Sequence, residues 1–262
     1  MHWPHRIDGP LAIIGDVHGQ TDKLQRVLEQ LRELPQHEQR WVVFLGDFVD
    51  RGPDPRGTIE CVLQFMQQHP RVTSVMGNHE FAMGCALGWF PVPDYADWGP
   101  RWVEHYDTES TFASYGVPWG DLPALQQAIP PTHQQFLAHL PWIVEHPHYV
   151  IVHAGLDPNM PFELQRRILR QRDFTHSRPP WLCARELVES DPPPDCPHVV
   201  ISGHLCRPKV EIYPRRILVD TTGGRGGVLS CVLLPERRVL TSDPQTKPRM
   251  TSRAWWKFWA RL

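Results

Sequence analysis

The chain has no cysteine pair at a spacing that signals metal or redox chemistry. Its six cysteines (61, 85, 183, 196, 206 and 231) are scattered and form no CxxC, which excludes both a disulfide scaffold and a thiolate zinc site. No apolar run approaches the roughly 20 residues that span a bilayer. The first fifteen residues hold only the short run Leu11–Ile14, too brief for a signal-peptide core. A net charge of -2 provides no bulk basic field to attract nucleic acid or an anionic membrane. Internal repeats and low-complexity tracts are absent as well. A reduced, cytoplasmic protein that binds no nucleic acid is the expectation. Proline is in excess instead: 28 in 262 residues is about twice average usage and points to long, turn-rich connections. With 41% hydrophobic and 21% charged residues, the chain has the composition of a globular protein of one large domain or two small ones.

Short apolar runs recur, each ending at a glycine or a polar cluster. Leu11–Ile14 leads into Gly15-Asp-Val-His-Gly19, and Trp41–Leu45 into Gly46-Asp-Phe-Val-Asp-Arg-Gly-Pro53. Arg71–Met76 leads into Gly77-Asn-His-Glu80, Tyr149–Val152 into His153-Ala-Gly155, and Val199–Ser202 into Gly203-His204. Runs this short, β-branched and glycine-terminated read as buried strands. Between them, Leu24, Val27, Leu28, Leu31 and Leu34 mark one helix face, with Thr21 placed to cap it. A second helix is expected from near Thr58, burying Cys61, Val62, Phe65 and Met66. Alternating strands and helices imply a parallel sheet covered by helices. Ile217–Val219, Val228–Leu234 and Arg238–Leu240 have no room for helices between them, so an antiparallel part is expected and the sheets should be mixed. Segment 84–142, with five tryptophans and many prolines, breaks the rhythm. It reads as a helical or loop-rich cap, its tryptophans forming a miniature core.

The polar clusters follow the carboxyl ends of the predicted strands, the edge at which open α/β sheets bind ligands. Gathered there are Asp16, His18, Asp47, Asp50, Arg51, Asn78, His79, His153 and His204. Carboxylates and imidazoles without thiolates suit manganese, iron or zinc. Six candidate ligands exceed what one catalytic ion with open positions uses, so two ions bridged by a carboxylate fit better. Such a pair clamps the attacking and leaving oxygens of a phosphoryl displacement. Any one of these acids could instead be a turn residue after a strand, but the joint pattern weighs against that for the set. The remaining histidines, including His133, His139, His146 and His148, are assigned to core or surface. Gly223–Gly227 precedes a strand rather than a helix, which favours a hairpin turn over a phosphate-binding loop.

The ordered set GD-x-HG, GD-x-x-DRG, GNHE, HAG and GH resembles the calcineurin-like metallophosphoesterases. Within them it looks most like the phosphoprotein phosphatases of the bacterial and phage branch typified by lambda phosphatase. The resemblance covers residues 11 to about 234 and implies an α/β fold: a mixed-sheet β-sandwich flanked by helices, within a catalytic domain spanning 1–244. It implies that Asp16 and His18 bind one metal, that Asp47 bridges, and that Asn78, His153 and His204 bind the second. The expected ions are two divalent cations, manganese first, with iron or zinc as alternatives. Water or hydroxide held between them would attack phosphorus in line. His79 would protonate the leaving oxygen, Asp50 would orient His79, and Arg51 would grip the phosphoryl oxygens. A second arginine is expected from Ile168–Asp173, with Arg172 the best match and Arg185 its rival.

These features imply a metal-dependent phosphomonoesterase, most like a serine/threonine protein phosphatase, acting on a phosphorylated protein, peptide or small phosphoester. Hydrolysis of a bis(5'-nucleosyl)-tetraphosphate is the alternative. Asp50 and Glu80 weigh against it, because such relatives tend to lack that acid and to read GNHD. A non-catalytic scaffold binding phospho-ligands ranks lower. Beyond the resemblance, segment 245–262 is basic and free of acids, with Trp255, Phe258, Trp259 and Leu262 at helical spacing. It reads as a tail that docks on a membrane surface or a protein, or else folds back onto the domain.

Overall fold

The computed structural model describes residues 3–243. The basic aromatic segment 245–262 lies outside the described residues. In chain order the first half runs β1 (Leu11–Ile14), α1 (Thr21–Arg32), β2 (Trp41–Phe44), α2 (Pro55–Gln68), β3 (Val72–Ser74) and α3 (Asn78–Ala86). Four helices follow: α4 (Trp98–His105), α5 (Glu109–Ser114), α6 (Leu122–Ala128) and α7 (Pro131–Ala138). The second half contains β4 (Val144–Glu145), β5 (Tyr149–Ile151), α8 (Phe162–Gln171), α9 (Pro180–Cys183), α10 (Arg185–Glu189), β6 (Val199–Ser202), β7 (Glu211–Ile212), β8 (Arg216–Leu218), β9 (Ser230–Leu234) and β10 (Arg238–Thr241).

These strands form two five-stranded mixed sheets, ordered β10-β9-β1-β2-β3 and β4-β5-β6-β8-β7. In each, three strands run parallel: β1, β2 and β3 in one, β5, β6 and β8 in the other. The period of two along a strand sorts its side chains between two cores. Leu11 and Ile13 join Val43, Ile151, Ile201, Ile217 and Val232 in a cluster fed by both sheets. Ala12 and Ile14 point the other way, with Val42 and Phe44, into a core shared with the helices. Burial on both faces is why these strands read as unbroken apolar runs rather than as alternations.

The helices depart from expectation at their starts. Helix α2 begins at Pro55, because Asp54 accepts a cap hydrogen bond from Gly57 N at 2.9 Å and proline suits the first turn. Thr21 is not the cap of α1. It is the first helical residue, and its hydroxyl bonds Asp54 O and Thr58 instead. Segment 84–142 has no miniature core of its own. Trp98, Trp102 and Trp142 are buried in the same cluster as Leu24, Phe44 and Phe81, whereas Trp119 is exposed.

Gly223–Gly227 is not a hairpin turn either. Strands β8 and β9 belong to different sheets, so the glycine-rich stretch crosses between them. Gln20 Nε2 donates to Gly224 O at 2.8 Å and Arg51 Nη1 to Gly223 O at 3.2 Å. A side chain at Gly224 would put its Cβ 2.6 Å from His18 Cβ. That contact accounts for a residue with none.

Candidate metal centre

The parallel strands of both sheets deliver their carboxyl ends to one crevice. Asp16 lies two residues past β1, Asp47 three past β2, and Asn78 opens α3 after β3. From the second sheet, His153, His204 and Asp220 each lie two residues past β5, β6 and β8. Tight turns at these strand ends let the side chains converge. A Cβ at Gly77 would sit 2.0 Å from Asp47 Oδ1, and one at Gly203 would sit 2.0 Å from Asp16 Oδ1, so only glycine leaves room for the carboxylates.

Asp47 is the hub. His18 Nε2 lies 3.2 Å from its Oδ2, His153 Nε2 3.5 Å and His79 Nε2 4.0 Å. Two donor sets, His18–Asp47–His79 and Asp47–His153–His204, have ligand atoms within 4.8 Å of one another and share this carboxylate. Asn78 Oδ1 closes the second set, 3.0 Å from His153 Nε2 and 2.8 Å from His204 Nδ1. Asp16 Oδ2 accepts from His204 N at 2.8 Å, while its Oδ1 and His204 Nε2 are buried with no partner among the described residues. Orphaned donor atoms around a shared carboxylate fit divalent cations, since buried polar atoms otherwise find partners.

Backbone carbonyls set the tautomers. His18 Nδ1 donates to Val49 O at 2.9 Å and His153 Nδ1 to Leu45 O at 2.6 Å. Each ring therefore turns an Nε2 lone pair toward Asp47, the arrangement metal-ligating histidines use. Burial raises Asp47, but interaction with the surrounding imidazoles of His153, His79 and His18 outweighs it and holds the carboxyl well below its ordinary range. Burial lifts Asp16 well above that range, helped by the charges of Asp220 and Asp47. Burial, with His153 nearby, pulls His204 down to about 3. Its ring is neutral near pH 7 with a lone pair to offer.

Beside this hub, His79 Nδ1 donates to Asp50 Oδ2 at 2.8 Å, and both side chains are buried. Asp50 is itself held from the helical insertion: Trp102 Nε1 donates to Oδ2 at 2.9 Å and Thr111 Oγ1 to Oδ1 at 2.6 Å. Tyr106 stacks edge-on against His79 at 4.9 Å. Arg51 Nη1 reaches within 3.1 Å of His18 Nε2.

Arg172 does not reach the site. Following α8, it packs its guanidinium over Phe90 and Phe174 and donates to Ala138 O at 2.8 Å. Those two rings stack in turn on Phe81 of α3. Arg185 lies nearer: its charge acts on His204, and with Arg178 and Cys183 it lines a cavity of about 310 Å³. Arg225 pairs with Asp107 at the surface.

Several site residues escaped the sequence reading. Asp220 had a signal, since it stands two residues past a strand as Asp16 does. Glu80 was noted only as a motif letter, yet its carboxylate accepts from the amides of Asp47, Phe48, Val49 and Gly77 at 2.7, 2.6, 3.2 and 3.1 Å. Trp102, Thr111 and Tyr106 had none, because nothing in their spacing ties them to Asp50 or His79.

Paired mixed sheets with histidines and carboxylates around one shared aspartate define a metallophosphoesterase. The calcineurin-like phosphoesterase family matches residues 9–208, and the chain belongs to it. The chain is 28% identical to a symmetrical bis(5'-nucleosyl)-tetraphosphatase of Vibrio cholerae over 192 residues, 73% of this chain and 61% of that protein. It thus spans less than two thirds of that relative's length. Over 76 residues it is 40% identical to a serine/threonine-protein phosphatase 4 catalytic subunit of Candida glabrata, 29% of this chain and 24% of that one. The crystal structure of a proposed diadenosine tetraphosphatase superposes with a TM-score of 0.58 at 21% identity, covering 95% of this chain and all of that one. That likeness concerns the fold.

Proposed function

We propose that the chain is a two-metal phosphomonoesterase acting on alkyl phosphoesters of the phosphoserine and phosphothreonine type. Asp16, His18 and Asp47 would hold one ion; Asp47, Asn78, His153 and His204 the other. The donor set of carboxylate, amide and imidazole oxygens and nitrogens suits manganese, iron or zinc. Such ions, when bound, supply water of lowered pKa and neutralise charge on the phosphoryl oxygens.

The protein's own groups do the rest. Arg51 offers a planar fork to the phosphoryl oxygens. His79 would donate a proton to the departing oxygen, while Asp50 fixes the tautomer and favours the charged ring. It does so against the burial that holds His79 well below the ordinary imidazole range and Asp50 well above the ordinary carboxyl range. That dyad is the observation that carries the reading. An alkoxide is a poor leaving group and needs a proton as the P–O bond breaks, whereas a nucleotide leaving from an anhydride needs far less. A second reading, hydrolysis of a bis(5'-nucleosyl)-tetraphosphate, is favoured by the name of the relative matched over 73% of the chain.

The test is turnover of a phosphoserine peptide after chelation and after manganese is added back, in wild type and in Asp47→Asn. Activity should vanish on chelation and return with metal. Asp47→Asn should lose rate and metal content together, because one carboxylate serves both sets. Two tightly held ions with normal turnover in Asp47→Asn would refute the bridging role.

A further inference from the structure

Away from the metal centre, a cavity of about 250 Å³ lies between the N-terminal segment, the end of α7 and the end of α8. Trp3, His5, His139, Arg170 and Arg172 supply its polar lining, and no carboxylate lines it. Its two arginines are in different states. Arg170 is paired with Glu145, its Nε donating to Oε2 at 2.8 Å, a carboxylate it shares with Arg6 and Arg166. Arg172 forms no ion pair among the described residues. Its guanidinium makes one hydrogen bond, to Ala138 O, and packs against the Phe90 and Phe174 rings at 5.6 and 5.0 Å. Its Nε is buried without a partner among the described residues, and so is Trp3 Nε1. Burial alone pulls this guanidinium down to about 10, the mark of a desolvated cation that no neighbouring charge compensates.

Burying a cation without a counter-charge is destabilising, and leaving donors unsatisfied adds to the cost. We propose that the cavity binds a small, multiply charged oxyanion of the phosphate type, with Arg172 as its principal partner. The lining offers donors of several kinds: a guanidinium, an indole N–H and two exposed imidazoles that add charge when protonated. The volume falls below the roughly 300–1,000 Å³ of sites that take drug-sized ligands, which favours a single phosphate group over a nucleotide. None of the lining residues belongs to the metal centre, so this site does not depend on the phosphoesterase assignment.

The experiment titrates inorganic phosphate into the full, metal-stripped chain by calorimetry, with sodium chloride at matched ionic strength as the control. Saturable binding of phosphate beyond the chloride control is expected. Arg172→Gln should weaken it by about ten-fold or more, the loss of one charge-assisted contact. The double variant His5→Gln/His139→Gln alters only exposed side chains and should weaken binding several-fold without unfolding the chain. Arg51→Gln, at the metal centre, should leave this binding in place. Absence of phosphate binding beyond chloride would overturn the proposal. So would binding that Arg51→Gln abolishes, or binding that neither Arg172→Gln nor the histidine double variant weakens.

Discussion

His18, Asp47, Asp50, Arg51 and His204 all have positive φ, between 44° and 66°. Non-glycine residues seldom sit there, and each costs on the order of 1–3 kcal/mol unless its surroundings enforce it. The enforcement is visible: amides 47–49 are tied to Glu80, Asp50 N to Thr111, Arg51 N to Asp107 O, and His204 N to Asp16. Strain held in this way keeps the donors aimed at one another. His79→Asn should leave metal content intact while lowering turnover of a phosphoserine peptide by about 10²–10⁴-fold, the usual worth of a general acid. With p-nitrophenyl phosphate the loss should be much smaller. Equal losses on both substrates would remove His79 from that role. Trp102→Phe takes one donor from Asp50 and should reduce turnover of the peptide by about ten-fold, the effect of roughly one charge-assisted hydrogen bond. Metal stoichiometry should stay normal, and the acidic limb of the pH–rate profile should shift. An unchanged profile would make Trp102 a packing residue only. The motif residues were legible because each follows a strand within one or two turns of chain. Trp102 and Thr111 were not, since they reach Asp50 across 52 and 61 positions.

At the scale of elements, Glu80 links the first turn of α3 to the loop after β2. A glutamine there would turn a donor toward at least one backbone amide. Glu80→Gln should therefore destabilise the fold by about 1–3 kcal/mol, a fall of several degrees in Tm for a chain of this size. Metal occupancy should fall with it, because Asp47 sits in the clamped loop; calorimetry and metal analysis on one sample check both. Glu80→Gln with wild-type Tm would contradict the clamp. Strands β1, β2, β3, β5 and β6 could be read from hydrophobicity and glycine alone, as could the buried face of α1 from Leu24 to Leu31. Of the face expected for α2, Val62 and Phe65 are buried but Cys61 and Met66 only half so. The crossover at Gly223–Gly227 could not. Local sequence shows a turn between two strands but carries no sign of which sheet each strand joins. The arginine of Ile168–Asp173 failed for a related reason. Its spacing matched a motif, but the direction of a side chain leaving α8 depends on the Phe90 and Phe174 rings it meets.

For the whole molecule, two sheets converge on a site that gathers Asp16, Asp47, Asp50, Glu80 and Asp220, all buried. Burial and the charge of Asp47 lift Glu80 to about 7, and burial with Asp220 and Asp47 lifts Asp16. Both groups have folded values above their unfolded ones. The stability they contribute is complete below about pH 4 and is lost as pH rises, for Glu80 through about 7. Divalent cations counter the same charge. Chelation should thus lower Tm more at pH 8 than at pH 6, and metal uptake at pH 6 should release protons. An equal penalty at both values would contradict this electrostatic reading.

The proposed role of the Asp50–His79 pair is to equip this metal centre for alkyl phosphomonoesters. Its most direct test is the ratio of kcat/KM for a phosphoserine peptide to that for a dinucleoside tetraphosphate, measured on one manganese-loaded preparation. A ratio well above one is predicted, and it should collapse in His79→Asn. A tetraphosphate turned over faster than the peptide, with a ratio that His79→Asn leaves unchanged, would contradict the account.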